Sequence, residues 1–222
     1  MSARPRSTTG WPISGQSMRF KAVVFDFDGT LIDSADAKRD AFFRLFPAGE
    51  PYRAIVKRVL AIDPDGSRHD VIPRMIEAMT AHQLPLPLGQ NAINRIGAYG
   101  QAVYAAQCAA AECPGAATLL RTLKGQTALY ISSNTPEPDL TNLVAARGWS
   151  DLIDGLFGHP RDKSETLAML VERHDGAKDD VAVVGDGESD ERAARDVGCP
   201  FFRVCSPQTL ADVWRKLGLT HV

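Results

Sequence analysis

Short apolar runs alternate with helical segments from Cys113 onward, and this alternation restricts the fold more than any other feature of the sequence. The runs TALYIS, DVAVVGD and PFFRV have the length and composition of buried strands, with helical patterns between them. An earlier run, AVVF at residues 22–25, supplies one more buried strand. Strands that alternate with helices form parallel sheets with right-handed crossovers. We therefore predict an α/β fold built on a parallel sheet.

The stretch between Ser34 and Cys113 has a different pattern. It contains the helical segments AKRDAFFRLF and YRAIVKRVLAI, then helical runs at 67–82 and 92–111, and no convincing strand. Because it directly follows the AVVF strand, we interpret it as a helical domain, residues 34–112, inserted after the first strand. The α/β core then comprises 18–33 and 113–222. Residues 1–17 are polar and basic and are expected to form a flexible leader. Residues 155–157 (Gly-Leu-Phe) are interpreted as an apolar turn.

Composition excludes some classes of protein. A formal net charge of −2 argues against broad nucleic-acid binding, which depends on a basic surface. Residues 1–17 lack the long apolar stretch that a membrane anchor or signal peptide requires, and an organelle-targeting segment is the alternative to a flexible leader. The cysteines form no C-x-x-C pair and have no histidine at zinc-finger spacing, which favours a reducing, cytoplasmic compartment.

Two polar segments end predicted strands. Asp26 and Asp28 follow AVVF, and if the chain turns there, one carboxylate can face a substrate while the other protonates a leaving group. Ser132, Ser133 and Asn134 follow TALYI and offer donors for phosphate oxygens. Each segment alone also fits an ordinary turn, with solvated acids in the first and a Ser/Asn turn in the second.

Two further segments carry charge. Lys163 precedes Ser164, which resembles a helix N-cap, and would place a compact cation beside phosphate or an anionic nucleophile. Asp186 and Asp190 lie in GDGESD after a strand, and such an oxygen-rich group without histidine or thiolate suits Mg²⁺ rather than Zn²⁺. A surface lysine, and an Asp-Gly turn before an acidic first helical turn, are the alternatives.

In order and spacing, these segments together resemble the haloacid dehalogenase superfamily, which consists largely of phosphatases. DFDGTLIDS and GDGESD are close to its first and fourth motifs, whereas PRDKSE departs from the K-P-x-P form of many members. The resemblance covers about 19–33 and 113–217, and the helical insertion is similar to that family's cap. It implies a Rossmann-like core and Mg²⁺-dependent hydrolysis of a small phosphorylated metabolite. The second aspartate favours phosphoryl transfer over the dehalogenase and phosphonate-cleaving branches.

The resemblance also assigns roles. Asp26 is expected to be the nucleophile that forms an aspartyl-phosphate, and Asp28 the general acid and base. Ser133, or Ser132 one residue earlier, would bind the phosphate, and Lys163 would steady the charge. The expected metal ligands are Asp26, the backbone carbonyl of Asp28 and Asp186, with Asp190 either a further ligand or a carboxylate next to them. The expected substrate-binding residues are Gly29, Thr30 and Asn134.

The sequence says less about the identity of the substrate than about the reaction. Arg68, in the insertion, is our candidate to meet a second anionic group, although an arginine at a solvated helix start is the alternative. A phosphosugar mutase would use the same aspartyl-phosphate, and a noncatalytic module could share the fold. The insertion should cover the site, which favours a small-molecule phosphate ester over a protein substrate. A monomer and a homodimer both remain open.

Overall fold

The computed structural model of the protein describes residues 18–64, 66–89, 91–204 and 210–217. The leader predicted at 1–17 lies outside these ranges, as does Cys205. Among the described helices, none combines the length and apolarity needed to cross a bilayer.

Five parallel strands form the central sheet, as the sequence predicts. The spatial order is β3-β2-β1-β4-β5, so that β1 lies in the middle with a partner on each side. All four residues of β1 are buried, because helices cover both faces of the sheet. The strands are β1 (Ala22–Phe25), β2 (Ala128–Pro136), β3 (Gly155–His159), β4 (Val181–Gly185) and β5 (Phe201–Arg203).

The insertion is helical in its described part and has an apolar cluster of its own. It contains α1 (Ala35–Arg44), α2 (Glu50–Ile62), α3 (Arg68–Ala81) and α4 (Ala92–Ala109). The buried apolar side chains of these helices pack mainly against one another rather than on the sheet, and the cluster includes Phe42, Val56, Ile72, Met75, Met79 and Tyr99.

The remaining helices cover the sheet. They are α5 (Ala116–Leu123), α6 (Glu137–Ala146), α7 (Lys163–Arg173), α8 (Glu188–Val197) and α9 (Leu210–Lys216). One face buries Phe25 with Leu120 and Trp149, and the other buries Val24 with Leu170. The fold is therefore an α/β sheet with a Rossmann-like parallel core and a helical insertion after β1.

Two sequence predictions were wrong in detail. The segment interpreted as a turn at 155–157 is part of β3, an edge strand that pairs with Tyr130 and Ile131 of β2. The N-cap of α7 is Asp162 instead of Ser164: the Asp162 side chain accepts the Ser164 N–H at 2.7 Å, and the helix begins at Lys163.

The two segments that join the insertion to the core run side by side. The Asp33 N–H donates to the Ala111 carbonyl at 2.9 Å, and the Cys113 N–H donates to the Leu31 carbonyl at 2.9 Å. Because the insertion leaves the core directly after β1, these bonds hold it over the carboxyl edge of the sheet, where open parallel sheets bind ligands.

A pair of leucine substitutions tests this core. Leu120→Ala removes a fully buried side chain of α5 and should lower the free energy of unfolding by about 2 to 5 kcal/mol. Leu88→Ala makes the same chemical change at a fully exposed position and should change it by less than about 0.5 kcal/mol. Urea unfolding of both variants measures the difference, and equal effects would contradict the packing described here.

Candidate active site

A cleft of about 720 Å³ lies between the insertion and the carboxyl edge of the sheet. The core contributes the acidic residues Asp26, Asp186 and Asp190 to its lining, and the insertion contributes Arg68 and Tyr99. The cleft therefore brings together residues that lie far apart in the sequence.

Asp26 and Lys163 form a buried ion pair at the floor of the cleft. Asp26 follows β1 directly, and its N–H donates to the Val184 carbonyl of β4 at 2.8 Å. Lys163, the first residue of α7, donates from Nζ to Asp26 Oδ1 at 2.8 Å and to Asp190 Oδ1 at 2.6 Å. Asp26 and Lys163 are each only 7% exposed. One lysine thus bridges two carboxylates that come from different segments.

The charges at this floor do not balance. Burial raises the pKa of Asp26 well above its usual range, the Lys163 ammonium opposes that rise, and the Asp190, Asp186 and Asp28 carboxylates add to it. Burial alone would lower the pKa of Lys163, but Asp26 and Asp190 outweigh it and raise that pKa, so the lysine stays protonated. The site therefore has an excess of negative charge that a bound cation would relieve.

The acidic group fits a hard divalent cation. Asp26, Asp186 and Asp190 each place a carboxylate oxygen within 4.8 Å of the others. Burial and the nearby Asp190 raise the pKa of Asp186, as expected for a carboxylate among like charges. Carboxylate oxygens without nitrogen or sulfur donors suit Mg²⁺. These residues are thus able to hold a metal ion.

Two glycines make room for these carboxylates. Gly29 has φ +78°, and a Cβ there would collide with the Asp186 carboxylate. At Gly185 a Cβ would collide with the side chain of Asp190. Gly29 is therefore required by close approach and by backbone conformation, whereas Gly185, the last residue of β4, is required by close approach.

Four side chains surround the carboxylate of Asp28. Ser34 Oγ donates to Oδ1 at 2.5 Å, and Lys38 Nζ and Thr135 Oγ1 each donate to Oδ2 at 3.0 Å. Gln107 Nε2 lies 2.8 Å from Oδ1 and 3.0 Å from Oδ2. Burial would raise the pKa of Asp28, but the Lys38 ammonium and the hydrogen bonds from Ser34 and Gln107 outweigh it and lower that pKa.

Lys38 is affected in the opposite direction. Burial would lower its pKa, but the Asp28 carboxylate outweighs that effect and raises it to about 12. Sequence reasoning did not single out Ser34, Lys38, Gln107 or Thr135. Lys38 and Gln107 lie within ordinary helical patterns, so only the tertiary structure brings them to Asp28.

The phosphate-binding candidates occupy different environments. Ser133 is 2% exposed and its Oγ accepts the Thr135 N–H at 3.1 Å, and Ser132 is also buried. Asn134 is exposed and lines the cleft. Thr30 is fully buried, and its Oγ1 donates to Asp186 Oδ1 at 3.2 Å. Thr30 thus supports the Asp186 carboxylate, and Gly29 leaves room for it. The cleft lining contains Asn134 but none of Gly29, Thr30, Ser132 and Ser133.

Arg68 begins α3 and lines the opposite wall of the cleft. Its side chain is half-buried, and a Cβ at Gly100 of α4 would lie 2.9 Å from its Nη1. Within the described part of the chain, the Arg68 side chain forms no hydrogen bond or ion pair with another residue. The next residue, His69, stacks on His159 of the core at 5.8 Å between ring centroids, so this end of α3 also contacts the core.

Comparisons with known proteins agree with this geometry. A family model described as "haloacid dehalogenase-like hydrolase" matches residues 20–198. A search of curated proteins gives no match.

Solved structures with the same fold share little sequence with this chain. A magnesium-bound structure of the candidate HAD hydrolase YfnB from Bacillus subtilis has a TM-score of 0.67 at 16% identity, covering 90% of this chain and 100% of that one. A Haemophilus somnus protein described as a predicted phosphoglycolate phosphatase has a TM-score of 0.64 at 20% identity, with 84% and 85% covered. A Thermotoga maritima protein whose name suggests a β-phosphoglucomutase has a TM-score of 0.62 at 16% identity, with 89% and 99% covered.

The family model spans the whole of the sheet edge that carries the acidic group, together with the insertion above it. The order of the motifs along the chain, the parallel sheet with β1 at its centre and the matched residues agree. This chain therefore belongs to the haloacid dehalogenase-like hydrolase family.

Proposed function

We propose that this chain is a Mg²⁺-dependent phosphatase that hydrolyses a small phosphorylated metabolite through an aspartyl-phosphate on Asp26. The observation that carries the proposal is the arrangement at the floor of the cleft. A buried aspartate there lies against a protonated lysine and a group of carboxylates, and a second aspartate two residues later is held by four donors.

In the first step, a carboxylate oxygen of Asp26 attacks the phosphorus of the ester, and the bond from phosphorus to the leaving oxygen breaks. The donors around Asp28 hold it as a carboxylate in the free site, so it has to take up a proton as the substrate binds; it gives that proton to the leaving oxygen, and the alcohol departs neutral. The phosphoryl group is then bonded to Asp26. Lys163, 2.8 Å from Asp26 Oδ1, offsets negative charge throughout.

In the second step, water attacks the phosphorus of the aspartyl-phosphate and loses a proton to Asp28. The bond between Asp26 and phosphorus breaks, which releases inorganic phosphate and restores both side chains. Dividing hydrolysis into two displacements lowers the barrier of each.

Asp26, Asp186, Asp190 and the backbone carbonyl of Asp28 are the groups that would hold the metal. When bound, Mg²⁺ supplies positive charge that reduces repulsion between the substrate phosphate and the carboxylates. The excess negative charge at the floor supports this assignment.

Substrate binding is proposed for both walls of the cleft. On the core side, Asn134 and the hydroxyl of Ser133 or Ser132 would bind phosphate oxygens, while Gly29 and Thr30 would act by supporting Asp186. On the insertion side, Arg68 would bind a second anionic group of the substrate.

We also propose that residues 34–112 form a cap domain on a core of 18–33 and 113–222. The cleft favours a small-molecule ester, and we propose that the protein acts in the cytoplasm.

Asp26→Asn tests the nucleophile. An amide is a poor nucleophile, so Mg²⁺-dependent release of phosphate from a panel of sugar, nucleotide and short-chain acid phosphates should fall at least about a thousandfold. Asp151→Asn, the same change at an exposed residue far from the cleft, should leave the rate unchanged. Activity that survives Asp26→Asn would contradict the mechanism. Products that retain the phosphoryl group on a second hydroxyl would indicate a mutase.

Thermal unfolding tests the metal site without an assay. Addition of Mg²⁺ should raise the Tm of the parent, because ligands that bind only the folded state stabilise it. Asp186→Asn should lose most of that response. In metal-free buffer the variant should be at least as stable as the parent, since it removes one of several repelling carboxylates. An equal Mg²⁺ response in both proteins would contradict the proposed ligands.

Arg68→Gln tests the second anionic group. A charge-assisted hydrogen bond contributes about 1.5 to 3 kcal/mol, so kcat/KM for a phosphate ester that also carries a carboxylate should fall roughly 10- to 150-fold. For an uncharged alcohol ester, kcat/KM should change less than about threefold. Arg53→Gln removes an exposed arginine of α2 and serves as the matched control. Equal losses on both esters would contradict the assignment.

A further inference from the structure

Gln107 is a buried amide in the last turns of α4, and the mechanism above gives it no part. Its side chain is 1% exposed, although it belongs to a helix of the insertion. Burying an amide costs free energy unless the amide is hydrogen-bonded. The acceptors of the Gln107 amide therefore indicate why this side chain is buried here.

The acceptors are Asp28 and a residue that itself binds Asp28. Gln107 Nε2 lies 2.8 Å from Asp28 Oδ1 and 2.8 Å from Thr135 Oγ1, while Thr135 Oγ1 lies 3.0 Å from Asp28 Oδ2. An amide nitrogen has two hydrogens, so one can go to the carboxylate and the other to the hydroxyl, whose own hydrogen goes to the second carboxylate oxygen. The three side chains form a closed ring that fixes the plane of the Asp28 carboxylate.

The turn that carries Gln107 is fastened to the core. Arg147, which follows α6, donates from Nη2 to the Gln107 carbonyl at 2.6 Å and to the Ala110 carbonyl at 3.2 Å. These carbonyls lie at the end of a helix, where no intrahelical donor follows. Arg147 is itself held, with Nη1 on the Leu143 carbonyl at 3.1 Å and the guanidinium over the Phe27 ring at 5.7 Å.

We propose that Gln107 is a positioning residue for proton transfer: it orients the Asp28 carboxylate toward the leaving-group oxygen, and Arg147 fixes the turn from which it does so. The inference rests on the proposed phosphatase function. A purely structural role, in which Gln107 only ties the insertion to the core, is the alternative that an experiment must separate.

Dependence on the leaving group separates the two roles. Gln107→Met keeps the length of the side chain and removes the donor. Ethanol leaves poorly without a proton, whereas p-nitrophenolate leaves readily as an anion, and kcat/KM reports the steps up to departure of the leaving group. For ethyl phosphate kcat/KM should fall about 30- to 100-fold, because general acid catalysis and its geometry contribute on that scale. For p-nitrophenyl phosphate it should fall less than about threefold.

Gln101→Met is the matched control, since it makes the same change at an exposed position of the same helix and should alter neither value. Thr135→Val removes the shared hydroxyl with little change of shape, and kcat/KM should again fall for ethyl phosphate and not for p-nitrophenyl phosphate. This variant tests the proposal if Gln107→Met does not fold. Equal losses on both esters, or no loss on either, would overturn the proposal.

Crystal structures of the parent protein and of Gln107→Met test the proposal without an activity assay. The parent should show Gln107 Nε2 within hydrogen-bond distance of Asp28, and the Asp28 carboxylate should rotate in the variant. A carboxylate that keeps its orientation without Gln107 would overturn the inference. If the parent protein hydrolyses neither ester, the result contradicts the phosphatase function instead. The crystal structures then decide whether Gln107 orients Asp28.

Discussion

The buried ammonium of Lys163 is the interaction on which the rest of the site depends. Its Nζ lies between Asp26 and Asp190, and all three groups are almost fully removed from water. Charges buried in this way are costly unless they are paired, and removal of one partner commonly costs about 3 to 5 kcal/mol. Without the lysine, Asp26 and Asp190 would lose the cation that pairs with both of them. Asp162 caps α7 and so fixes the position of the lysine at the first helical residue.

The order of the strands in the sheet brings the residues of this ion pair together. Because β1 is central, the segments that follow β1, β2 and β4 end next to one another, although they lie far apart in the sequence. Asp26, Asn134 and Asp186 follow or end these strands, and α7 adds Lys163 from beside them. The Asp28 carboxylate forms a second centre, whose donors come from α4 and the start of α1 as well as from β2. Asp26 and Asp28 are therefore held by different parts of the molecule.

Much of this arrangement could be predicted from the sequence. Runs such as AVVF and VAVVG are apolar throughout because both faces of their strands are buried, and the acidic motifs directly follow them. Strand β3 was missed because an edge strand is only partly buried and Gly155 and Gly158 weaken its pattern. The contact of Gln107 with Asp28 was also missed. It joins residues 79 positions apart, and no periodicity within α4 distinguishes a side chain that faces a carboxylate from one that faces an apolar core.

The adjacent ends of the insertion have a consequence for how the chain folds. Ala22 of β1 pairs with Ala128 of β2, so the sheet cannot close until a long loop has brought distant segments together. Such closure costs conformational entropy and slows folding. The helices of the insertion, however, bury their apolar side chains mainly against one another, and the Asp33 and Ala111 backbones meet where it begins and ends. An insertion that folds early would shorten the effective distance along the chain between β1 and β2 to the segments 26–33 and 113–127 on either side of it. The same element that covers the site would then also act as a local template for the central pairing of the sheet.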